Sequence, residues 1–300
     1  MNSAAMSASN PVIALPDIAT LRPRLQEHLT QIVRDRDPYL AAGGHFFARE
    51  YIRGQLAQWG EVTTHDFKVR GQSHQNLILH LPASQPDGAK HPMILIGAHF
   101  DTVPNCPGAD DNASGVAVLL ELAAALAQSE QRSPLQLVAF DMEEYGLQGS
   151  ASYAAHLRAL GTRLRLMFSL EMLGYCTDEP NSQTYPPGLS PFYPDQGNFI
   201  ALVGNWKSTL AMMRLSRAMQ RWGTVPCRWL PAGNRGLIVP DTRRSDHAPF
   251  WDEGYPAVMV TDTSFLRNPH YHKPSDRIET LDLKFMAAVC RGLIHNLARL

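Results

Sequence analysis

The sequence predicts an α/β fold, a three-layer α/β/α sandwich around a mixed, mainly parallel sheet. Short, continuously apolar runs such as MILIGA and LQLVAF are typical of strands buried on both faces. They alternate with segments whose apolar residues recur every three or four positions, as in amphipathic helices. This alternation is typical of parallel sheets covered by helices on both sides. A chain of 300 residues, 44% of them hydrophobic, is long enough to bury such a core.

The predicted elements follow in a regular order. Helical periodicity over residues 18–34 and 42–58 predicts an N-terminal helical segment of about residues 17–59. Strands are then predicted over residues 61–69, 75–80, 93–98, 135–140 and 164–170. Helices are predicted between the later strands, over residues 112–128 and 149–160. Residues 174–198 contain five prolines and no periodicity, which predicts a long, functional loop. After this loop, strands are predicted over residues 199–204 and 257–261, and helices over residues 208–222 and 283–297.

We find no repeat and no linker, so residues 1–300 are expected to form a single domain. The net charge of −1 excludes the basic surface typical of a nucleic-acid-binding protein. Residues 116–127 are too short to span a bilayer and contain Glu121, so no membrane association is expected. The opening residues lack the features of a secretory signal. A cytoplasmic location is expected, because four cysteines lie far apart without CxxC spacing: Cys106, Cys176, Cys227 and Cys290.

Acidic residues and histidines follow the carboxyl ends of the predicted strands, where open α/β sheets bind ligands. They are His99, Asp101, Asp110, Asp111, Asp141, Glu143, Glu144 and Glu171, joined later in the chain by Asp246, His247, His272 and Asp276. Taken one at a time, such residues are typical of helix caps and solvated surfaces. Together at one sheet edge, their like charges would repel unless a cation lay among them. The sequence therefore predicts a metal site.

The residue types narrow the choice of metal ion. Imidazole with carboxylate and no thiolate favours zinc, with manganese or cobalt as substitutes. Two histidines and three carboxylates give two ions three protein ligands each if one carboxylate bridges them. That arrangement, with ions roughly 3.5–4 Å apart and a position left for water, is typical of a two-metal hydrolase.

Six motifs occur in a fixed order: GAHFDTV, GADDNASGVAVLLELA, FDMEEYGLQGS, SLEMLGY, RSDHAPF and YHKPSD. The set resembles the successive motifs of the co-catalytic zinc aminopeptidases of peptidase clan MH, which are bacterial leucyl aminopeptidase-like. The same group contains glutaminyl cyclases. The resemblance extends from about Gly43 to Leu300 and implies a zinc-exopeptidase fold.

The resemblance implies a ligand set. His99 and Glu171 would bind one zinc, Glu144 and His272 would bind the other, and Asp111 would bridge both. Two ions are expected, and one is the alternative. The family often has Asp where this chain has Glu171, whose side chain reaches one methylene further. The resemblance also implies a cis peptide bond after Asp111.

Three further residues are expected to act in catalysis. The resemblance implies that Glu143 is the general base. Because adjacent side chains diverge, one of Glu143 and Glu144 can bind metal while the other takes up a proton. Asp101 lies two residues beyond His99 on the same side of an extended segment, so it can orient the imidazole. Tyr271 resembles the family's oxyanion-stabilising tyrosine, with plain packing as the alternative. Asp246 and His247 are expected to support the pocket wall.

The leading functional hypothesis is a zinc aminopeptidase acting on a peptide or small amide substrate. A glutaminyl-peptide cyclase-like acyltransferase would use a similar ligand set with one zinc. A carboxypeptidase or amidohydrolase would need a basic anchor for the substrate carboxylate, for which Arg235, Arg243 and Arg244 are candidates. A non-catalytic relative would be expected to have lost ligands or the base. The sequence does not indicate the oligomeric state.

Overall fold

The computed structural model describes residues 15–300. Its centre is one eight-stranded sheet with the strand order β1-β2-β4-β3-β5-β8-β6-β7. The neighbouring strands β4, β3, β5 and β8 run parallel, and β6 pairs in parallel with β7. The other pairings are antiparallel. The strands are β1 (Val62–Val69), β2 (Gln72–Leu81), β3 (Met93–His99), β4 (Leu135–Phe140), β5 (Leu164–Glu171), β6 (Ile200–Gly204), β7 (Cys227–Pro231) and β8 (Ala257–Thr261).

Helices cover both faces of the sheet. They are α1 (Ile18–Ile32), α2 (Ala42–Leu56), α3 (Gly115–Ala127), α4 (Gln148–Ala159), α5 (Thr209–Ala218), α6 (His247–Asp252) and α7 (Leu283–Leu297). Along β3, Ile94 and Ile96 belong to the core shared with α1, α2, α3, α5 and α7. Leu95, between them, belongs to the core shared with α4 and α6. The predicted three-layer α/β/α fold is confirmed.

The strands at the centre of the sheet position the candidate site. All six residues of β4 are buried, as are the last six of β3, because both strands are covered on both faces. Parallel strands bring their carboxyl ends to the same edge. His99 is the last residue of β3 and Glu171 the last of β5, and these two strands are hydrogen-bonded neighbours.

The structure differs from the sequence prediction in four elements. Strand β7 was not predicted, because it is a short edge strand whose residues alternate weakly. Helix α6 was not predicted, because it has six residues and contains Pro249. Helix α3 begins at Gly115 because Asp111 and Asn112 have non-helical backbone angles within the turn Ala109–Ser114. The helix predicted to reach residue 222 ends at Ala218 in a wider turn.

The segment 174–198 has no strand, and its only helical turn is Ser190–Phe192. It is nevertheless held in place by Gln183, which is buried. The side-chain oxygen of Gln183 accepts hydrogen bonds from Arg267 Nε at 2.9 Å and from Thr263 Oγ1 at 3.0 Å. The long loop is therefore fixed to the segment that follows β8.

The single-domain organisation stays a prediction, and the part of it that concerns residues 1–14 lies outside the described residues. The expectation about a secretory signal concerns the same opening residues. Over residues 15–300, no helix combines the length and apolar character needed to cross a bilayer.

Candidate metal centre

Among residues 15–300, two groups of side chains could each hold a metal ion, and both lie at the carboxyl edge of the sheet. The first group consists of His99, Asp111 and Glu171. His99 Nε2 lies 3.3 Å from Asp111 Oδ1 and 3.5 Å from Glu171 Oε1. All three residues are buried. The structure therefore brings together the three residues that were expected to hold one ion.

The second group consists of Asp111, Glu144 and His272. His272 Nε2 lies 3.1 Å from Asp111 Oδ2 and 3.2 Å from Glu144 Oε2. Each oxygen of Asp111 thus faces a different histidine. A carboxylate shared in this way can bridge two cations, which is the position expected for Asp111. The peptide bond between Asp111 and Asn112 is cis, as the resemblance implied.

The donor atoms fit a cation. His99 Nε2, His272 Nε2 and Glu144 Oε1 are buried without a hydrogen-bond partner within residues 15–300. Burying polar atoms without partners is costly, and coordination of a metal ion would satisfy them. The donor set contains imidazole nitrogens and carboxylate oxygens, which suit zinc.

The electrostatics favour a cation as well. Burial, together with the nearby Asp111 carboxylate, raises the pKa of Glu144 to about 7. Burial works in the opposite direction at His272, yet Asp111 and Glu144 raise the pKa of this imidazole to about 10. Both shifts reflect negative charge gathered in a poorly solvated place. A bound cation would offset that charge and favour the deprotonated forms that ligate metals.

Glu143 lies beside the two groups without belonging to either. Its Oε2 is 3.9 Å from His99 Nε2. Burial raises the pKa of Glu143 well above its ordinary value, and the carboxylates of Glu171 and Glu144 add to this rise. A raised pKa suits a group that takes up a proton and returns it.

Asp101 contacts the backbone of both Glu143 and Glu144. Its Oδ1 accepts a hydrogen bond from Glu143 N at 3.0 Å, and its Oδ2 accepts one from Glu144 N at 3.1 Å. The same Oδ1 is 3.5 Å from His99 Nδ1. Asp101 therefore contacts the backbone of both glutamates in addition to facing the imidazole. The sequence analysis anticipated only its position beside His99.

Two residues fix the backbone around the candidate ligands in a way that the sequence analysis did not anticipate. Asp276 accepts hydrogen bonds from Asp110 N at 2.9 Å and Asp111 N at 3.1 Å, which fixes the backbone of the shared carboxylate. Arg36 is fully buried and donates to Phe100 O at 2.8 Å and to Gly108 O at 3.0 Å. Asp276, within YHKPSD, was named among the acidic residues of this site, but its contacts with the backbone of Asp110 and Asp111 were not predicted. The RDRDP run around Arg36 resembles an ordinary surface segment.

The RSDHAPF motif contacts the first metal-holding group through Ser245. Ser245 Oγ donates to Glu171 Oε2 at 2.6 Å. Asp246 is fully buried, and burial raises the pKa of its carboxyl to about 7. His247 Nε2 lies 2.8 Å from Thr242 O, and burial lowers the pKa of this imidazole to about 3. Neither Asp246 nor His247 belongs to a metal-holding group among the described residues.

A cavity opens onto Asp111, Glu143, Glu144 and Glu171. Its walls are largely aromatic and aliphatic. They come from the long loop, from β6 and β7, from Asp241–Arg244 and from the segment after β8, and they include Tyr185, Leu189, Tyr193, Phe199, Trp229, Leu230, Phe265 and Leu266. Such a cavity can hold an apolar side chain next to the carboxylates.

Tyr271 lines the same cavity. Its ring stacks on the imidazole of His272, with ring centroids 3.8 Å apart. Burial raises the pKa of Tyr271, so the phenol keeps its proton. Within the described residues its hydroxyl has no hydrogen-bond partner, which leaves it free to donate.

Comparison with known proteins gives the family. A model of peptidase family M28 matches residues 76–297. An uncharacterized protein of Escherichia coli (strain K12), YfbL, is 37% identical over 257 residues, which cover 82% of this chain and 77% of that protein. Aminopeptidase YwaD of Bacillus subtilis (strain 168) is 30% identical over 230 residues, which cover 75% of this chain and 44% of that protein. The chain thus matches less than half of YwaD's length.

A solved structure shares the fold. Porphyromonas gingivalis glutaminyl cyclase superimposes with a TM-score of 0.66 at 19% identity, over 95% of this chain and 99% of that chain. The same fold thus occurs in a protein named for cyclase chemistry, so the fold alone does not decide the reaction. The family match and the 37% identical relative do decide the membership. The chain belongs to peptidase family M28, which makes it a hydrolase of the metallo-exopeptidase kind that the sequence motifs indicated.

Proposed function

We propose that the protein is a zinc aminopeptidase that hydrolyses the N-terminal residue of peptides. One observation carries the proposal. Two groups of potential ligands share Asp111, and Glu143 lies beside them at the end of an apolar cavity. This arrangement offers places for two ions, for a proton acceptor and for an apolar side chain.

The ligands in this proposal are those of the two groups. His99 and Glu171 would hold one zinc, Glu144 and His272 the other, and Asp111 would contact both. When bound, the ions would lower the pKa of a coordinated water and offset negative charge on the substrate carbonyl oxygen.

The chain's own residues supply the proton transfer. In the proposal, Glu143 takes a proton at its carboxylate from the attacking water and delivers it to the amine that leaves. Asp101 fixes the position of Glu143 and Glu144 by accepting hydrogen bonds from their backbone N–H groups. Tyr271 donates from its hydroxyl to the carbonyl oxygen as charge develops there.

The main alternative is the glutaminyl cyclase reaction, in which one zinc suffices. The carboxypeptidase alternative is weakened, because Arg235 and Arg243 both pair with Asp252 outside the cavity. A cytoplasmic location belongs to the proposal and is supported by four free cysteines.

The experiment is a paired assay on protein whose zinc content has been measured. We expect hydrolysis of leucyl arylamide, about two zinc ions per chain and no cyclisation of a Gln-peptide. Cyclisation without hydrolysis, with about one zinc, would establish the alternative. Protein that binds no zinc and hydrolyses no aminoacyl amide would contradict the proposal altogether.

A further inference from the structure

Within residues 15–300, two arginines line the cavity beside the candidate metal centre, Arg228 on β7 and Arg244. Of the two, Arg244 is adjacent in sequence to a residue that contacts a candidate ligand. Arg244 lines the cavity together with Glu171, Tyr271 and Phe265. It directly precedes Ser245, whose hydroxyl donates to Glu171 at 2.6 Å. The backbone of Arg244 is therefore adjacent to a residue that touches the first metal-holding group.

The guanidinium of Arg244 lies over the ring of Phe265. Its carbon is 4.6 Å from the centroid of that ring, and the ring is 5.9 Å from the ring of Tyr271. A cation–π contact of this kind occupies no polar acceptor, so it leaves N–H groups of the guanidinium available. Within residues 15–300, the side chain of Arg244 forms no hydrogen bond or ion pair.

The two arginines nearest in sequence are engaged elsewhere. Arg235 Nε donates to Asp252 Oδ1 at 2.7 Å, and Arg243 lies 2.7 Å from Asp252 Oδ2. Neither lines the cavity. Of these three arginines, Arg244 is the one that combines free N–H donors with a place beside the candidate ligands.

Free guanidinium donors at the mouth of a cavity suit a planar anion. A carboxylate accepts two parallel hydrogen bonds from one guanidinium, which gives both strength and orientation. The N-terminal residue of a peptide carries an ammonium group, which Arg244 would repel. An acidic side chain on the N-terminal residue itself would have to lie in the largely apolar cavity, so we place the carboxylate on the other side of the scissile bond.

We propose that Arg244 binds a carboxylate on the residue that follows the scissile bond, so that the preferred substrates are short peptides with an anionic leaving residue. This rests on the proposed aminopeptidase function and names its substrate class. Two sources supply such a group: the C-terminal carboxylate of a dipeptide and an acidic side chain. The dipeptide carboxylate lies within one residue of the scissile bond, about 3.5 Å of chain.

The test compares three substrates that share an N-terminal leucine. Leu-Gly has a C-terminal carboxylate, Leu-Gly-NH2 has none, and Leu-Glu-NH2 has only a side-chain carboxylate. We expect the zinc-loaded enzyme to show a kcat/KM about 10-fold higher for at least one anionic substrate than for Leu-Gly-NH2. The ratio should fall as salt is raised, because the guanidinium is exposed to solvent.

The variants assign the preference to one side chain. Arg244→Gln should bring the ratio of kcat/KM values between the anionic and neutral substrates close to one. Arg244→Lys should retain part of this ratio, because lysine keeps the positive charge but lacks the two parallel N–H donors of a guanidinium. Arg235→Gln is the matched control, since it removes an exposed arginine outside the cavity, and it should keep the wild-type ratio. Zinc content and circular dichroism should be the same in all four proteins.

The outcomes identify the source of the carboxylate or contradict the inference or the proposed function. Faster cleavage of Leu-Gly alone identifies the C-terminal carboxylate, and faster cleavage of Leu-Glu-NH2 alone identifies the side chain. Equal rates for all three substrates in the wild type, or an unchanged ratio in Arg244→Gln, would overturn the inference and leave the aminopeptidase function standing. If the zinc-loaded enzyme cleaves none of the three, the proposed function itself fails.

Discussion

The metal centre and the cavity wall are built in different ways. The candidate centre takes His99 and Glu171 from strand ends and its other residues from the segments that follow strands. Most of its side chains are buried: His99 and Asp101 are 0% exposed, whereas the side chain of His272 is 32% exposed. The wall combines residues of β6, β7 and β8 with residues of the segments beside them. Several of its side chains are partly open to solvent, with Phe265 and Trp229 each 36% exposed. The carboxyl edge of the sheet thus gathers the residues proposed for chemistry, and the wall, which includes loop residues, supplies those that would contact the rest of the substrate.

This difference predicts two kinds of mutant. Substitutions at the centre should change kcat or metal content, because they remove groups held for the reaction itself. Substitutions in the wall should act mainly on KM and on substrate preference. The predictions below run from the centre to the wall, in decreasing order of expected effect.

The largest effect is expected from Glu143→Gln. The amide keeps the shape of the side chain and cannot accept the proton, so turnover should fall about 10²–10⁴-fold. Zinc content should not change, because Glu143 belongs to neither metal-holding group. Steady-state kinetics with elemental analysis of the same preparation measures both quantities.

Glu144→Gln is the matched comparison, since it is the same chemical change one residue away. It should lose zinc as well as activity, because it removes an oxygen that faces His272 and Asp111. Equal zinc content in the two variants would contradict the division of roles. Near-normal turnover in Glu143→Gln would contradict the assignment of the base.

Tyr271→Phe tests a residue that belongs to both regions, because it lines the cavity and stacks on His272. The change keeps the ring and removes the hydroxyl. If the hydroxyl donates to the developing oxyanion, kcat should fall about 10–10³-fold with little change in KM. An increase in KM with constant kcat would make Tyr271 a wall residue, and no change would make it a packing residue.

Asp101→Ala should lower metal affinity or activity by about 10–100-fold. The carboxylate faces His99 Nδ1 and also accepts the N–H groups of Glu143 and Glu144. Its loss should therefore loosen a ligand, the proposed base and a second ligand together. A chelator competition series measures the affinity. Full zinc retention with an unchanged rate would reduce Asp101 to a structural residue.

The sequence could indicate which residues meet at the candidate centre because several of them stand at or directly after strand ends. His99 and Glu171 follow apolar runs, so their meeting at one edge follows from the parallel pairing of β3 with β5. The family membership and the three-layer fold followed from the same motifs and the same alternation. The assignment of catalytic and ligating roles stays a prediction, which the variants above test.

Long-range hydrogen bonds could not be predicted in this way. Arg36 donates to the carbonyl groups of Phe100 and Gly108, residues far from it in sequence, and nothing near Arg36 indicates those partners. Gln183 likewise accepts from Arg267, 84 positions away. Such contacts exist only once the sheet has brought the segments together. They explain why a loop without periodicity is nevertheless held in place.

The smallest effect is expected from Gln183→Ala, in the loop that contributes Tyr185 and Leu189 to the cavity wall. The variant removes the acceptor of Arg267 Nε and Thr263 Oγ1, which tie the loop of residues 174–198 to the segment after β8. A lost hydrogen bond to a charged donor costs about 1.5–3 kcal/mol of stability, and the wall residues Tyr185 and Leu189 should become less well positioned.

We therefore expect KM for leucyl arylamide to rise about 3–10-fold in Gln183→Ala, with kcat and zinc content close to wild type. Gln196→Ala is the matched control, because Gln196 lies in the same loop and donates at an exposed position to Asp178 O. It should leave KM unchanged. If Gln183→Ala lowers kcat or zinc content as strongly as Asp101→Ala, the wall and the centre are coupled. The separation between the two regions would then have to be abandoned, since a loop contact would be setting the geometry of the ligands.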